Sequence, residues 1–445
     1  MSQLDLEIGE WRAFVEQSHG LTGGDVEELE IHLRDQIAEL TETGLTDDEA
    51  FLIAVKRIGS VDEMSREFGR EQRSRLWRQF VLPAETERDG DRWGRDALAF
   101  ALAVAFAIQV ARLAAGFPLD ESSWFVRNLA LLVLPFLAAY FLRRRQLPMR
   151  TALATAIPFL MAALVVNVYP FTEDSSTELL VAAHLPVMLW FVVACPYMSG
   201  VLSSHERRMD FVRFTGEWFI YYVLLALGGG VLTVLTVLVL EPAGVDPESL
   251  VEWILPSGAA GAVIVAAWLV ETKQRVIENM APVLTMIFTP LFAVMLVVAT
   301  PVYALARLGG VFDRELLGIF DALLVVVLGL VIYQISARDS LAPPGWPDRI
   351  QLIAVVSALT LDAMVLGVMV ARVGELGFTP NRAAVLGLNV VLLINLAVTA
   401  WLSARFVTGR GTFHRLERWQ TDYLPVYAIW AAAVVVVLPP LFGFA

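Results

Sequence analysis

Eleven stretches of about twenty predominantly apolar residues follow one another between positions 96 and 444, and each is long enough to cross the hydrocarbon core of a bilayer as a helix. They run approximately Asp96–Phe117, Trp124–Leu142, Thr151–Tyr169, Leu179–Leu202, Trp218–Leu240, Leu250–Val270, Val283–Ala306, Leu316–Ile335, Ile350–Val373, Ala383–Phe406 and Tyr423–Phe442. The short connections between them join antiparallel neighbours, so the expected fold is all-α: a small helical domain followed by a transmembrane bundle of about 11 spans. A composition of 57% hydrophobic and 18% charged residues is too apolar for one soluble core, which typically has about 25% charged residues. It also excludes a disordered, fibrous or disulfide-stapled chain. The single cysteine, Cys195, allows neither an internal disulfide nor a multi-cysteine metal site.

Charge divides the chain. Residues 1–71 carry 18 Asp and Glu against 6 Arg and Lys, which accounts for almost all of the net charge of −13. An acidic segment of this kind does not bind nucleic acid or anionic lipid directly. It lacks an early apolar stretch, so no secretory signal is expected. The division reads as a cytosolic domain at 1–80, a basic juxtamembrane linker at 81–95 and a membrane domain at 96–444. With the N-terminus inside, the inner loops collect 15 basic residues, from Arg143-Arg144-Arg145 through Arg418, and the outer loops only Arg307, Arg314, Arg372 and Arg382. Arg112 and Arg127 lie near outer helix ends. This asymmetry predicts a multi-pass protein of the cytoplasmic membrane with its N-terminus cytoplasmic and its C-terminus external. The odd count rests on the last run, whose Pro439-Pro440 also fits a re-entrant segment.

Within the first domain, Val26, Leu29, Leu33, Ile37 and Leu40 form an apolar stripe at helical spacing over Asp25–Glu42. Thr46 caps a second helix with Phe51, Ile53, Ala54 and Ile58 on its buried face, and Ser60 with Glu63 opens a third. An earlier helix is expected around Leu6–Val15. The order Leu21-Thr22, Val26-Glu27-Glu28-Leu29-Glu30, His32-Leu33, Gly44-Leu45-Thr46, Glu49-Ala50, Ile58-Gly59-Ser60 and Glu67-Phe68 resembles the permease prefix domain, which is similar to the HAAS-type signalling domain of bacteria. The resemblance implies a cytoplasmic interaction module that meets a cytosolic protein through residues 1–72 and brings no catalytic residue. Near the other end, Gly377-Phe378-Thr379-Pro380-Asn381-Arg382 resembles the Gly-x-Thr-x-x-Arg turn of a bacterial polytopic family whose domain has no assigned function. Read locally, Thr379 caps the next helix, Pro380 takes its first position and Arg382 either snorkels outward or binds a headgroup.

Chemistry-bearing motifs are sparse. There is no phosphate-binding glycine loop, no His-Glu-x-x-His and no nucleophile elbow, so no enzyme, catalytic residue, cofactor or metal is expected. His184 and Cys195 share a span but lie eleven residues apart, about 16 Å on a helix and too far to share a metal. Two connectors, 204–214 and 409–420, alternate arginines with apolar residues and read as helices lying in the headgroup plane. Gly228-Gly229-Gly230, Pro186, Pro196, Pro290 and Pro301 mark places where spans could break and expose backbone to a substrate.

The sharpest single residue is Asp362, twelve residues from Ile350 and eleven from Val373. A carboxylate at mid-bilayer costs at least about 2.5–3.5 kcal/mol and needs an interior partner. Asn389 and Asn395 on the next span, Asp321 on the preceding one and His184 are the candidate polar companions. They act either as glue between helices or as a proton or ligand site. Two functions follow: a regulatory or sensory membrane protein that works through its cytosolic domain, which the prefix resemblance favours, and a secondary permease of a small molecule or lipid with a regulatory prefix. Homo-oligomerisation is open to either.

Overall fold

The structure is a computed structural model that describes residues 4, 8, 23–42, 46, 50–51, 53–54, 87–115, 123–172, 175–241, 248–272, 274–308 and 314–445. Among them there is no strand. The expected third prefix helix at Ser60, most of the helix around Leu6–Val15 and the acidic pair Glu173-Asp174 lie outside the described residues. The chain forms two compact units, Met1–Asp89 and Gly90–Ala445.

In the first unit, helix α1 runs Gly23–Glu42. Leu33, Ile37 and Leu40 of its stripe are buried against Ile8, Ala50 and Ala54, which gives this unit a core of its own. Arg34 and Glu30, one turn apart on the same helix, pair at 2.9 Å.

The second unit is a bundle of α2 (Glu87–Ala115), α3 (Ser123–Arg144), α4 (Met149–Val168), α5 (Ser176–Tyr197), α6 (His205–Leu240), α7 (Glu248–Thr272), α8 (Gln274–Leu308), α9 (Arg314–Ala337), α10 (Trp346–Leu376), α11 (Pro380–Val407), α12 (Phe413–Val436) and the single turn α13 (Leu438–Leu441). Ten of these, α2 to α11, are long and apolar enough to span a membrane. The large outward-facing apolar side chains, such as Phe106, Leu160, Leu227 and Val298, are what a lipid-bathed bundle presents. Two cores hold it together. One gathers α2, α3, α4, α5 and α7; the other gathers α8, α9, α10 and α11 with the start of α12. The first turns of α6 belong to both: Phe211 and Phe214 enter the first core, Met209 and Val212 the second.

Helix α2 begins within the basic stretch, at Glu87. Trp93 lies under the Arg144 guanidinium and Asp96 pairs with Arg143 at 2.9 Å, which draws these turns onto the bundle. Three expectations change. Residues 204–214 do not form a separate surface helix. They are the capped start of α6, with Ser204 accepting from the Arg207 N–H, and their arginines bind backbone carbonyls. Arg207 donates to Met198, Arg208 to Leu202 and Thr421, and Arg213 to Ser336. Met198 and Ser336 sit at the C-terminal ends of α5 and α9, where free carbonyls and the helix dipole favour a cation. Residues 413–420 are likewise the first turns of α12, with Phe413 and Leu416 buried and Arg338 lying over the rings of Phe406 and Phe413 at 4.6 and 4.5 Å. Finally, the prolines of α5 and α8 and the three glycines of α6 interrupt none of these helices.

The last run traverses the bundle. Near its start, Thr421 meets His205 at the end rich in arginine. At its finish the Val436 carbonyl accepts from the Tyr169 hydroxyl at the opposite end of α4. Its polar first half, with Glu417, Arg418, Gln420 and Asp422, keeps α12 out of the ten helices that are long and apolar enough to span. The fold back at Pro439-Pro440 is confined to α13 and the residues after it, where the Phe444 carbonyl accepts from Ser175.

Candidate functional site

The turn before α11 sets the register of the polar residues in the second core. Gly377 takes φ +76°, which ends α10 without the penalty a side chain would carry there. Thr379 Oγ1 accepts from the Arg382 N–H, and Pro380 occupies the first helical position. The Arg382 guanidinium turns back and donates to the Gly377 carbonyl at 2.8 Å. This motif is thus a compact helix start, and it places Asn389 and Asn395 on the buried face of α11.

The two asparagines serve different ends. Asn395 Nδ2 donates to Gln420 Oε1 at 3.2 Å, Gln420 Nε2 donates to Thr399 Oγ1 at 2.7 Å, and Thr399 Oγ1 donates to Asn395 Oδ1 at 3.2 Å. All three residues are fully buried. This closed ring ties α11 to α12 and leaves no group of Asn395 free for a guest.

Asn389 instead faces α9. Its Nδ2 donates to Asp321 Oδ1 and to the Val385 carbonyl, each at 2.9 Å. Asp362, on α10, is 0% exposed and sits close enough to Asp321 for their charges to interact. Among the described residues, neither oxygen of Asp362 has a hydrogen-bond donor, nor does Asn389 Oδ1. Two carboxylates and a carboxamide oxygen thus lie buried on α9, α10 and α11, and among the described residues Asn389 Nδ2 is the donor bonded to Asp321. Leu324, Ala358, Val365 and Leu392, each within about a turn of one of these residues on the same helix, belong to the apolar second core. Buried acceptors without donors are costly, and the species that relieves such a centre is a proton or a small cation. Among the described residues no group of three or more His, Cys, Asp and Glu forms a metal site.

His184 is not part of this centre. Its Nδ1 engages the Leu180 carbonyl on its own helix at 2.9 Å. The basic residues at the opposite end are also engaged: Arg112, 1% exposed, pairs with Glu252, and Arg127 pairs with Glu178 at 2.7 Å.

Sequence reading missed a second polar feature. A pocket of about 380 Å³ opens at the arginine-rich end, lined by Arg145, Tyr197, Ser199, Arg207, Asp210, Arg213 and Glu217 among others. Its signal is the spacing Arg207, Asp210, Arg213, Glu217, which follows one face of a helix; the alternation with apolar residues hides it, because that pattern also fits an amphipathic surface helix. Comparison with family models, with curated proteins and with solved structures returns no match to this chain.

Proposed function

We propose that this multi-pass membrane protein is a secondary permease of the cytoplasmic membrane, coupled to a proton or small cation taken up at Asp362 and Asp321. The donor-poor centre formed by Asp362, Asp321 and Asn389 carries this reading. An ionisable residue inside a span is by default a candidate for an ion or proton pathway, and a packing role is already filled by the closed Asn395–Thr399–Gln420 ring. The arginine-rich end faces the cytoplasm in this reading. The excess of arginine at that end supports this orientation.

A second reading, regulation or sensing through a cytosolic partner, draws on the first unit, which folds with a separate core. One experiment divides the two. The full chain is reconstituted in liposomes loaded with a pH-sensitive dye, and a membrane potential is imposed. Permease coupling predicts a proton flux that Asp362→Asn abolishes. No flux in the wild type under any gradient, together with capture of a cytosolic protein by residues 1–72, favours the regulator.

A further inference from the structure

The pocket at the arginine-rich end sits at headgroup depth. Helix α6 has 36 residues, about 54 Å at 1.5 Å per residue, far more than a hydrocarbon core of about 30 Å requires. Counting about twenty residues back from Leu240 ends the apolar stretch near Tyr221. Helix α5 gives a similar boundary, since its 22 residues end at Tyr197, whose ring stacks on Phe214 at 4.4 Å. Trp218, Tyr221 and Tyr222 lie beside this level, as aromatic side chains do at the edge of a bilayer. Arg207 through Glu217 therefore occupy the polar region immediately outside the hydrocarbon.

Three guanidinium groups are fixed there. Arg145 is held by Glu271 at 3.0 Å and lies over Tyr197 at 4.4 Å. Arg207 is held by the Met198 carbonyl at 2.7 Å and Arg213 by the Ser336 carbonyl at 2.6 Å. A guanidinium carries five N–H donors in a rigid fork, so these contacts orient the groups without exhausting them. Against the three cations stand Asp210, exposed and 3.7 Å from Arg213, and Glu217, which is buried. The lining thus carries a net charge of +1, which a singly charged phosphodiester neutralises.

We infer that this pocket binds the phosphate of an anionic glycerophospholipid. The geometry is that of a basic recess between helices beside a membrane surface, the setting in which lipid headgroups are recognised. The inference does not depend on the permease reading, because it concerns a different set of residues at a different depth.

Ser199 provides the test without removing any arginine. It lines the pocket and holds φ +54°, a conformation that Asn and Asp tolerate. The full chain in a neutral detergent is titrated with phosphatidylglycerol, phosphatidylcholine, glycerol phosphate and inorganic phosphate, and bound lipid is counted by native mass spectrometry. Phosphatidylglycerol should bind on the order of tenfold more tightly than phosphatidylcholine. Ser199→Asp should abolish that preference and Ser199→Asn should keep it. Arg145→Gln serves as a second variant that removes a pocket cation, since Glu271 stays paired with Arg144; it should weaken phosphatidylglycerol in the same direction. Equal retention of both lipids with displacement by inorganic phosphate would reassign the pocket to a free phosphate and overturn the lipid assignment. A preference unchanged in both Ser199→Asp and Arg145→Gln would overturn the site altogether.

Discussion

Asn389 on α11 donates to Asp321 on α9 across the centre of the second core, at 2.9 Å, and both side chains are buried. The same amide nitrogen also reaches the Val385 carbonyl one turn back on its own helix, so its oxygen, which has no donor among the described residues, is held in a fixed orientation. Asn389→Ala should lower the stability of the detergent-solubilised protein by about 0.6–2 kcal/mol, the range for one hydrogen bond between membrane helices. The same change in an Asp321→Asn background should cost less. Thermal unfolding followed by tryptophan fluorescence reads both, and equal losses in the two backgrounds would mean the pair is not coupled.

Close helix packing makes a second, independent prediction. A Cβ built on Gly387 would lie 1.9 Å from the Trp430 ring, and one on Gly216 would lie 2.3 Å from Tyr333. Gly387→Ala should therefore destabilise by about 1–3 kcal/mol, the usual cost of overpacking. Trp430→Phe in the same chain should recover part of the loss by withdrawing the larger ring. Gly229→Ala meets nothing within 4 Å and should leave the unfolding midpoint unchanged or slightly raised.

The acidic first unit should stand alone. Residues 1–72 expressed by themselves should be soluble and helical by circular dichroism, because Leu33, Ile37 and Leu40 are buried among residues of the same unit. Leu33→Asp buries an unpaired carboxylate and should unfold the fragment, a lesion on the order of several kcal/mol. A wild-type fragment without helix would show that the unit needs the membrane domain to fold.

How far these features were legible in the sequence differs from helix to helix. The apolar runs mark nearly every span because the bilayer imposes their length, and Asp362 stood out because a carboxylate at that depth needs a reason. The start of α6 was harder to see. Arg207, Arg208 and Arg213 look the same on paper whether they face headgroups or cap neighbouring helices, and the carbonyls they bind include Thr421 and Ser336, more than a hundred residues away. The division between Asn389 and Asn395 was hidden for a similar reason. Both lie at comparable depth, yet the partner of Asn395 is Gln420, in a stretch whose charges made it look like a connector.

Orientation is open to a direct check. A reporter active only in the cytoplasm, fused after Arg145, should be active, and the same reporter after Thr172 should be silent. Those two positions lie at opposite ends of α4, so the reversed pattern would invert the whole bundle and move the Arg145 pocket to the external face.

The account centres on a protonatable pair at Asp362 and Asp321, and infrared difference spectroscopy of the full chain in lipid reads that pair most directly. Stepping the pH should reveal a carboxylic acid carbonyl band from a buried group, which appears on acidification and vanishes on alkalinisation. Asp362→Asn should remove or shift that band, and Asn389→Ala should shift it by altering the partner of Asp321. An identical band in wild type and Asp362→Asn, or no titrating buried carboxyl in the wild type over the whole stable pH range, would contradict the proposed proton site.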